Sequence, residues 1–135
     1  MQRKKNGQLM EAKKMTEENL FMQVNKAKDL SAPEDLEKKH VPIIEAPDTV
    51  KKGEPFEVTI DVGNLMPHPN ENAHFIEWIE LSAEDVFISR IDLIPLVGKP
   101  KVTLNISLEE GHTLRARARC NMHGIWEFEK EVKVE

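Results

Sequence analysis

From Phe56 onward, apolar side chains recur at every second position. Phe56, Val58, Ile60 and Val62 form one such run, and Val102, Leu104, Ile106 and Leu108 a second. Leu114, Ala116, Ala118 and Cys120 form a third, and Trp126, Phe128, Val132 and Val134 a fourth with a slip at Lys130. Residues 75–81 and 86–93 are strand-like with looser alternation. Lys52-Gly53, Pro67–Asn72, Gly98-Lys99-Pro100 and Glu109-Glu110-Gly111 punctuate the runs. Period two places one face of each strand in a core, and short strands at this spacing predict an all-β fold, an immunoglobulin-like antiparallel β-sandwich.

The N-terminal part follows a different period. Leu20, Val24 and Ala27 fall at i, i+4 and i+7, with Phe21 and Leu30 beside them, after an N-cap pattern at Thr16-Glu17-Glu18. This predicts a helix within residues 16–30, stopped by Ser31–Asp35, which starts a short second turn. Residues 1–14 are polar and Lys-rich and are expected to fray. Pro42 biases Val41 toward extended backbone, so residues 38–44 are expected to be a loop leading into extended chain. The expected division is a partly helical extension at 1–30 and a sandwich at 31–135.

A chain of 135 residues fits one domain. The net charge of −5 is uneven: residues 1–30 carry 7 basic and 4 acidic side chains, the rest 12 and 20. An acidic main domain argues against nucleic acid or an anionic membrane as partner. No apolar run approaches the roughly 20 residues that span a bilayer, and the N-terminus shows no secretory apolar segment. With one cysteine there is no internal disulfide and no four-cysteine metal site within the chain. An unpaired thiol suits a reducing, cytoplasmic setting.

That cysteine changes the functional picture. Cys120 lies three residues before His123 in Cys120-Asn121-Met122-His123-Gly124-Ile125-Trp126, a turn that lets both side chains reach one ion. It also aims backbone N–H groups, those of Met122 and His123, toward the sulfur. His40, His68 and His74 lie in or near Pro-flanked segments outside the strand interiors. A single loop histidine is ordinarily a solvated polar residue; four of them with the sole thiol form a metal-ligand set. His112 fits a hairpin turn and stands outside it. Structural zinc takes four tetrahedral ligands. Blue copper takes two histidines, a cysteine and a weak axial ligand. Five protein ligands with a sixth position open suit iron, and a thiolate opposite that position would push electron density toward whatever binds there.

His40-Val41-Pro42, His68-Pro69-Asn70, His74-Phe75-Ile76 and Cys120-Asn121-Met122-His123-Gly124-Ile125-Trp126 together resemble the superoxide reductase family, the neelaredoxins and the catalytic domain of desulfoferrodoxin. The resemblance covers about residues 36–135. It implies an immunoglobulin-like sandwich with one non-haem iron, held equatorially by His40, His68, His74 and His123 and axially by Cys120. It implies reduction of superoxide to hydrogen peroxide, a rubredoxin-like electron donor and a homo-oligomer, dimer or tetramer. The rubredoxin-like four-cysteine domain of some members is absent from this sequence, so the resemblance implies that the extension at 1–30 is metal-free.

One segment departs from the family pattern. The family usually reads Glu-Lys-His-Val-Pro, whereas this chain reads Glu37-Lys38-Lys39-His40-Val41-Pro42. Lys39 matches the family lysine, which implies a role in attracting the anion, with Lys38 as a second candidate. Lys38 holds the position of the glutamate that caps the sixth site of ferric iron, and Glu37, one residue further away, is the remaining candidate for a sixth ligand. The rival functional reading is a non-enzymatic electron-transfer or iron-binding module with a closed site.

Overall fold

The computed structural model describes residues 20–135. Among these, after the helical Leu20 and Phe21, the elements follow in order: β1 (Val24–Asn25), α1 (Asp35–His40), β2 (Pro42–Glu45), β3 (Thr49–Val50), β4 (Phe56–Val62), β5 (Ile76–Ala83), β6 (Val86–Asp92), β7 (Lys101–Ile106), β8 (His112–Cys120) and β9 (Gly124–Val134). The larger sheet runs β1-β9-β8-β5-β6, with β3 also on β9; the smaller runs β2-β4-β7. Among the described residues, no helix is long and apolar enough to cross a membrane.

The period-two runs become β4, β7, β8 and β9. On β8, Leu114, Ala116, Ala118 and Cys120 are buried while Arg115, Arg117 and Arg119 face outward. Between the sheets lie Ile44, Val58, Ile60, Val62, Ile76, Ile79, Leu81 and Leu114. Burying such side chains contributes roughly 1.5–3 kcal/mol each. On the outer face, Glu127 is buried among cations, with Lys26 at 3.0 Å and Arg117 at 2.8 Å.

The longer strands pair antiparallel, as expected for the sandwich. The two-residue strands β1 and β3 instead run parallel to β9, at Val24↔Ile125, Asn25↔Trp126 and Thr49↔Lys133, Val50↔Val134. β9 is eleven residues long, and these short segments pair the N–H and C=O groups of its free edge near its two ends.

Two local expectations change. The helix expected within 16–30 is present at Leu20 and Phe21, after which the chain turns into β1; the N-cap at Thr16 and the frayed stretch at 1–14 lie outside the described residues. Leu20 is buried and Ala27 packs beside it, but Val24 is exposed and Asn25 is buried. Asn25 donates through Nδ2 to the carbonyls of Leu20 and Ile125, both at 2.9 Å. An edge strand to pair with, and a carboxamide that needs buried partners, outweigh a three-point apolar stripe.

Residues 38–40, expected in a loop, close helix α1. Glu37, three residues after Glu34, accepts the Glu34 backbone N–H at 2.8 Å, as in a capping box. Val41 then leaves the helix in extended backbone, as its position before Pro42 requires.

Leu20, Val41 and Trp126 form a second small core, joined by Ala27, Leu36, Ile43 and Phe128. It lies under α1 and the 20–28 segment. Gly124, at φ 78°, sits where that segment crosses β9; a Cβ there would collide with the Leu20 carbonyl. Replacing Asn25 with Ala should cost about 1–3 kcal/mol, because two buried carbonyls lose their donor. Urea unfolding of the two proteins measures this, and an unchanged midpoint would mean the segment contributes nothing to the fold.

Candidate metal centre

Four segments bring the candidate ligands to one end of the sandwich: α1, the β4–β5 loop, the end of β8 and the β8–β9 turn. The ligand atoms of His40, His68, His74 and Cys120 all lie within 4.8 Å of one another. The Nε2 atoms of His40 and His68 are 3.2 Å apart, and His68 Nε2 is 3.3 Å from Cys120 Sγ. His123 joins from the turn, with Nδ1 at 3.6 Å from Sγ and its ring 4.9 Å from that of His40 and 5.1 Å from that of His74.

Four of the five candidate ligands are held by local devices. His40 closes α1 and donates from Nδ1 to the Leu36 carbonyl at 2.7 Å, while its ring stacks on Trp126 at 5.1 Å. His68 donates from Nδ1 to the Pro69 carbonyl at 2.6 Å. Gly63, at φ 91°, allows the loop to close on itself, since a Cβ there would meet the His68 backbone nitrogen at 2.9 Å. His74 closes a four-residue turn through paired bonds with the Glu71 backbone. The Trp126 indole N–H donates to the His123 carbonyl at 3.0 Å.

Asn121 and Asn70 tie these loops together, and the sequence reading passed over both. Asn121 accepts the Phe75 N–H, donates to the Ala73 carbonyl and bonds the Phe75 carbonyl through its own N–H. It thus fastens the His74 loop to the turn bearing Cys120 and His123. The adjoining β5–β8 ladder shifts register between Ile76 and Trp78, a bulge of the kind that re-aims strands beside a site. Asn70 accepts the Leu96 N–H at 2.8 Å and so pins the β4–β5 loop to the 93–98 loop. The sequence signal available for both was an asparagine beside a ligand, a residue whose amide can stand in for a backbone partner.

The donor set fits a cation. With Nδ1–H of His40 and of His68 each given to a carbonyl, both Nε2 atoms present lone pairs toward each other. A proton between them is disfavoured: burial, above all, pushes His40 down to about 3 and His68 down to about 4. Burial lowers His74 as well, and its Nε2 is buried with no hydrogen-bond partner. A metal ion would satisfy all of these lone pairs together. Cys120 is pushed up by burial, while the N–H groups of Met122 and His123 stabilise its sulfur as anticipated from the turn. A thiolate there is favoured by the same cation.

The remaining candidates divide. Lys39, next to His40, is close enough for its charge to add to the lowering of His68 and His74. Lys38 reaches instead toward Asp35, at 3.7 Å one turn earlier. Glu37 is not among the converging groups. Its two oxygens accept the backbone N–H groups of Lys28 at 3.0 Å and Glu34 at 2.8 Å, and the residue is 2 % exposed. Glu37 lies near the start of α1, where the backbone N–H groups of Lys28 and Glu34 take its carboxylate. His112 begins β8, at the end of that strand opposite Cys120, 3.5 Å from Glu84.

The depressed histidines make the metal-free fold acid-sensitive. Unfolded imidazoles take up protons near the ordinary 6.5, while folded His40 and His68 resist down to about 3 and about 4. Between those values the unfolded state binds more protons, so stability falls as pH falls. The urea midpoint of metal-free protein should drop steadily from pH 7 toward 4, and His68→Gln should flatten that slope. An identical slope in the variant would show that His68 is not held neutral by the fold.

Comparison with known proteins shows the family of the chain. The sequence profile of the desulfoferrodoxin family matches residues 32–129, a span that holds every converging residue. A superoxide reductase of Pyrococcus abyssi is 34% identical over 105 residues, covering 70% of this chain and 88% of its own length. A neelaredoxin of Megalodesulfovibrio gigas is 30% identical over 112 residues, covering 70% and 86%. The solved superoxide reductase (neelaredoxin) of Ignicoccus hospitalis superposes with a TM-score of 0.73 at 38% identity, covering 87% of this chain and 98% of that one. With its profile match, sandwich and histidine–cysteine cluster, the chain belongs to the desulfoferrodoxin family.

Proposed function

We propose that the protein is a superoxide reductase: superoxide takes one electron and two protons and leaves as hydrogen peroxide. The observation that carries this reading is the buried convergence of imidazole lone pairs on one thiol, in a chain of this family. The proposed ligands of a single non-haem iron are Nε2 of His40, His68 and His74, Nδ1 of His123 and Sγ of Cys120. The chemistry the metal supplies is a one-electron change between its ferrous and ferric states.

The chain's own residues do the rest. The Leu36 and Pro69 carbonyls fix the tautomers of His40 and His68, so that both present Nε2. The Met122 and His123 N–H groups spread the charge of the Cys120 sulfur and moderate its donor strength. Lys39 gives an acidic domain a local positive field, which draws in a small anion and favours water as the proton source beside it. Lys38, engaged by Asp35, contributes less. The electron is replaced from outside by a small one-electron carrier of the rubredoxin type.

The test is to mix reduced, iron-loaded protein with a superoxide pulse and follow visible absorption. A fast transient that ends in a thiolate-to-ferric band is expected. Oxidation by a conventional oxidant with no fast reaction with superoxide would replace this reading with a closed electron-transfer module. Lys39→Ala should slow capture by about tenfold and flatten its salt dependence, as expected for a steering charge. Lys38→Ala should change it by less than about twofold; equal losses would mean the two lysines act together. Cys120→Ser should abolish the band, and a band that survives would remove Cys120 from the ligand set.

A further inference from the structure

We infer that Glu37 is a positioning residue that clasps the N-terminal segment to the helix bearing Lys39 and His40, and that it stays off the metal. Only its second clause rests on the iron reading proposed above.

Three features carry the inference. Both oxygens of the Glu37 carboxylate are satisfied by backbone donors from different parts of the chain, Lys28 and Glu34. The residue is fully enclosed. A buried carboxylate with two N–H partners is held far more firmly than an exposed one. Moving it to a metal would strand both amides and break the start of α1, and an enclosed N–H left without an acceptor is costly.

The clasp closes a ring around His40. From β9, Trp126 stacks on the His40 ring. Trp126 and Ile125 pair with Asn25 and Val24 of β1. Three residues after Asn25, the Lys28 N–H reaches Glu37. Glu37 starts the turn that ends in His40, with its carbonyl accepting the Val41 N–H at 3.0 Å. Leu20, Val41 and Trp126, with Ala27 and Leu36 against them, form the small core that joins these segments. A six-residue helix has little stability of its own, so its orientation is set by these contacts. Residues 20–28 therefore belong to the machinery that aims His40.

Cobalt(II) serves as the probe, because its visible spectrum reports ligand geometry without any reaction with superoxide. Glu37→Ala should weaken cobalt binding by about tenfold, the usual scale for partners that orient a ligand, and should shift the visible bands. Glu37→Gln keeps an acceptor for one amide but turns an NH2 group toward the other, so it should fall between. A core variant, Ile60→Val, gives a comparison that loses stability without touching the ring. Glu37 variants that lose stability while keeping the wild-type cobalt affinity and bands would overturn the positioning role.

The second arm uses ferric, iron-loaded protein and azide. With Glu37 off the metal, Glu37→Gln should bind azide within about twofold of wild type, since no competing ligand has been removed. Azide binding tightened tenfold or more would overturn this and make Glu37 the sixth ligand. A protein inert toward superoxide that still gave the cobalt result would uphold the clasp while the proposed activity failed.

Discussion

The structure depends on one electrostatic problem, the packing of several lone pairs in one buried place. His40 and His68 each spend their only ring N–H on a carbonyl, which leaves two Nε2 atoms facing each other at 3.2 Å beside a thiol. A proton on His40 or His68 is held off, above all by burial. Such an arrangement is unfavourable alone and favourable around a cation. Binding energy at the site is then also folding energy, and the rest of the molecule can be understood as the apparatus that keeps these atoms together.

That apparatus works through backbone substitutes. Of the candidate ligands, His68, His74 and His123 come from a loop and a turn, where no ladder holds the chain, and asparagine amides take over the ladder's role. Asn121 spans the gap between the His74 loop and the Cys120 turn, Asn70 fixes the other side of the same loop, and Asn25 pins the segment that crosses β9. Gly63 and Gly124 allow the close approaches that these bonds require. The sandwich supplies rigidity; the polar side chains at its end convert rigidity into position.

Charge is arranged by the same logic. The outward Arg115 and Arg117 of β8 are matched by Glu127 and Glu129 on β9, so the sheet face carries little field of its own. At the other extreme, Lys39 stands beside a cluster of neutral imidazoles with its charge felt at two of them. A local positive charge in an acidic domain is a directional feature, whereas the same charge among partnered ions would not be.

The sequence alone determined whatever depends on local periodicity and residue type. The alternation of Val58, Ile60 and Val62 and of Leu114, Ala116 and Ala118 indicated strands with one buried face, as in a sandwich, and the histidines with the lone Cys120 could be read as a ligand set because few other uses unite them. Tertiary structure decided what depends on competing partners. Leu20, Val24 and Ala27 have helical spacing, yet the unpaired edge of β9 and the needs of buried Asn25 drew that segment into a strand. Residues 38–40 looked like loop before a proline, yet a carboxylate at Glu37 found the Glu34 and Lys28 amides and started a helix. Glu37 is the sharpest case. The family resemblance makes it a candidate ligand, whereas in the folded chain its carboxylate accepts the Lys28 and Glu34 N–H groups, and the Lys28 partner follows from no local pattern.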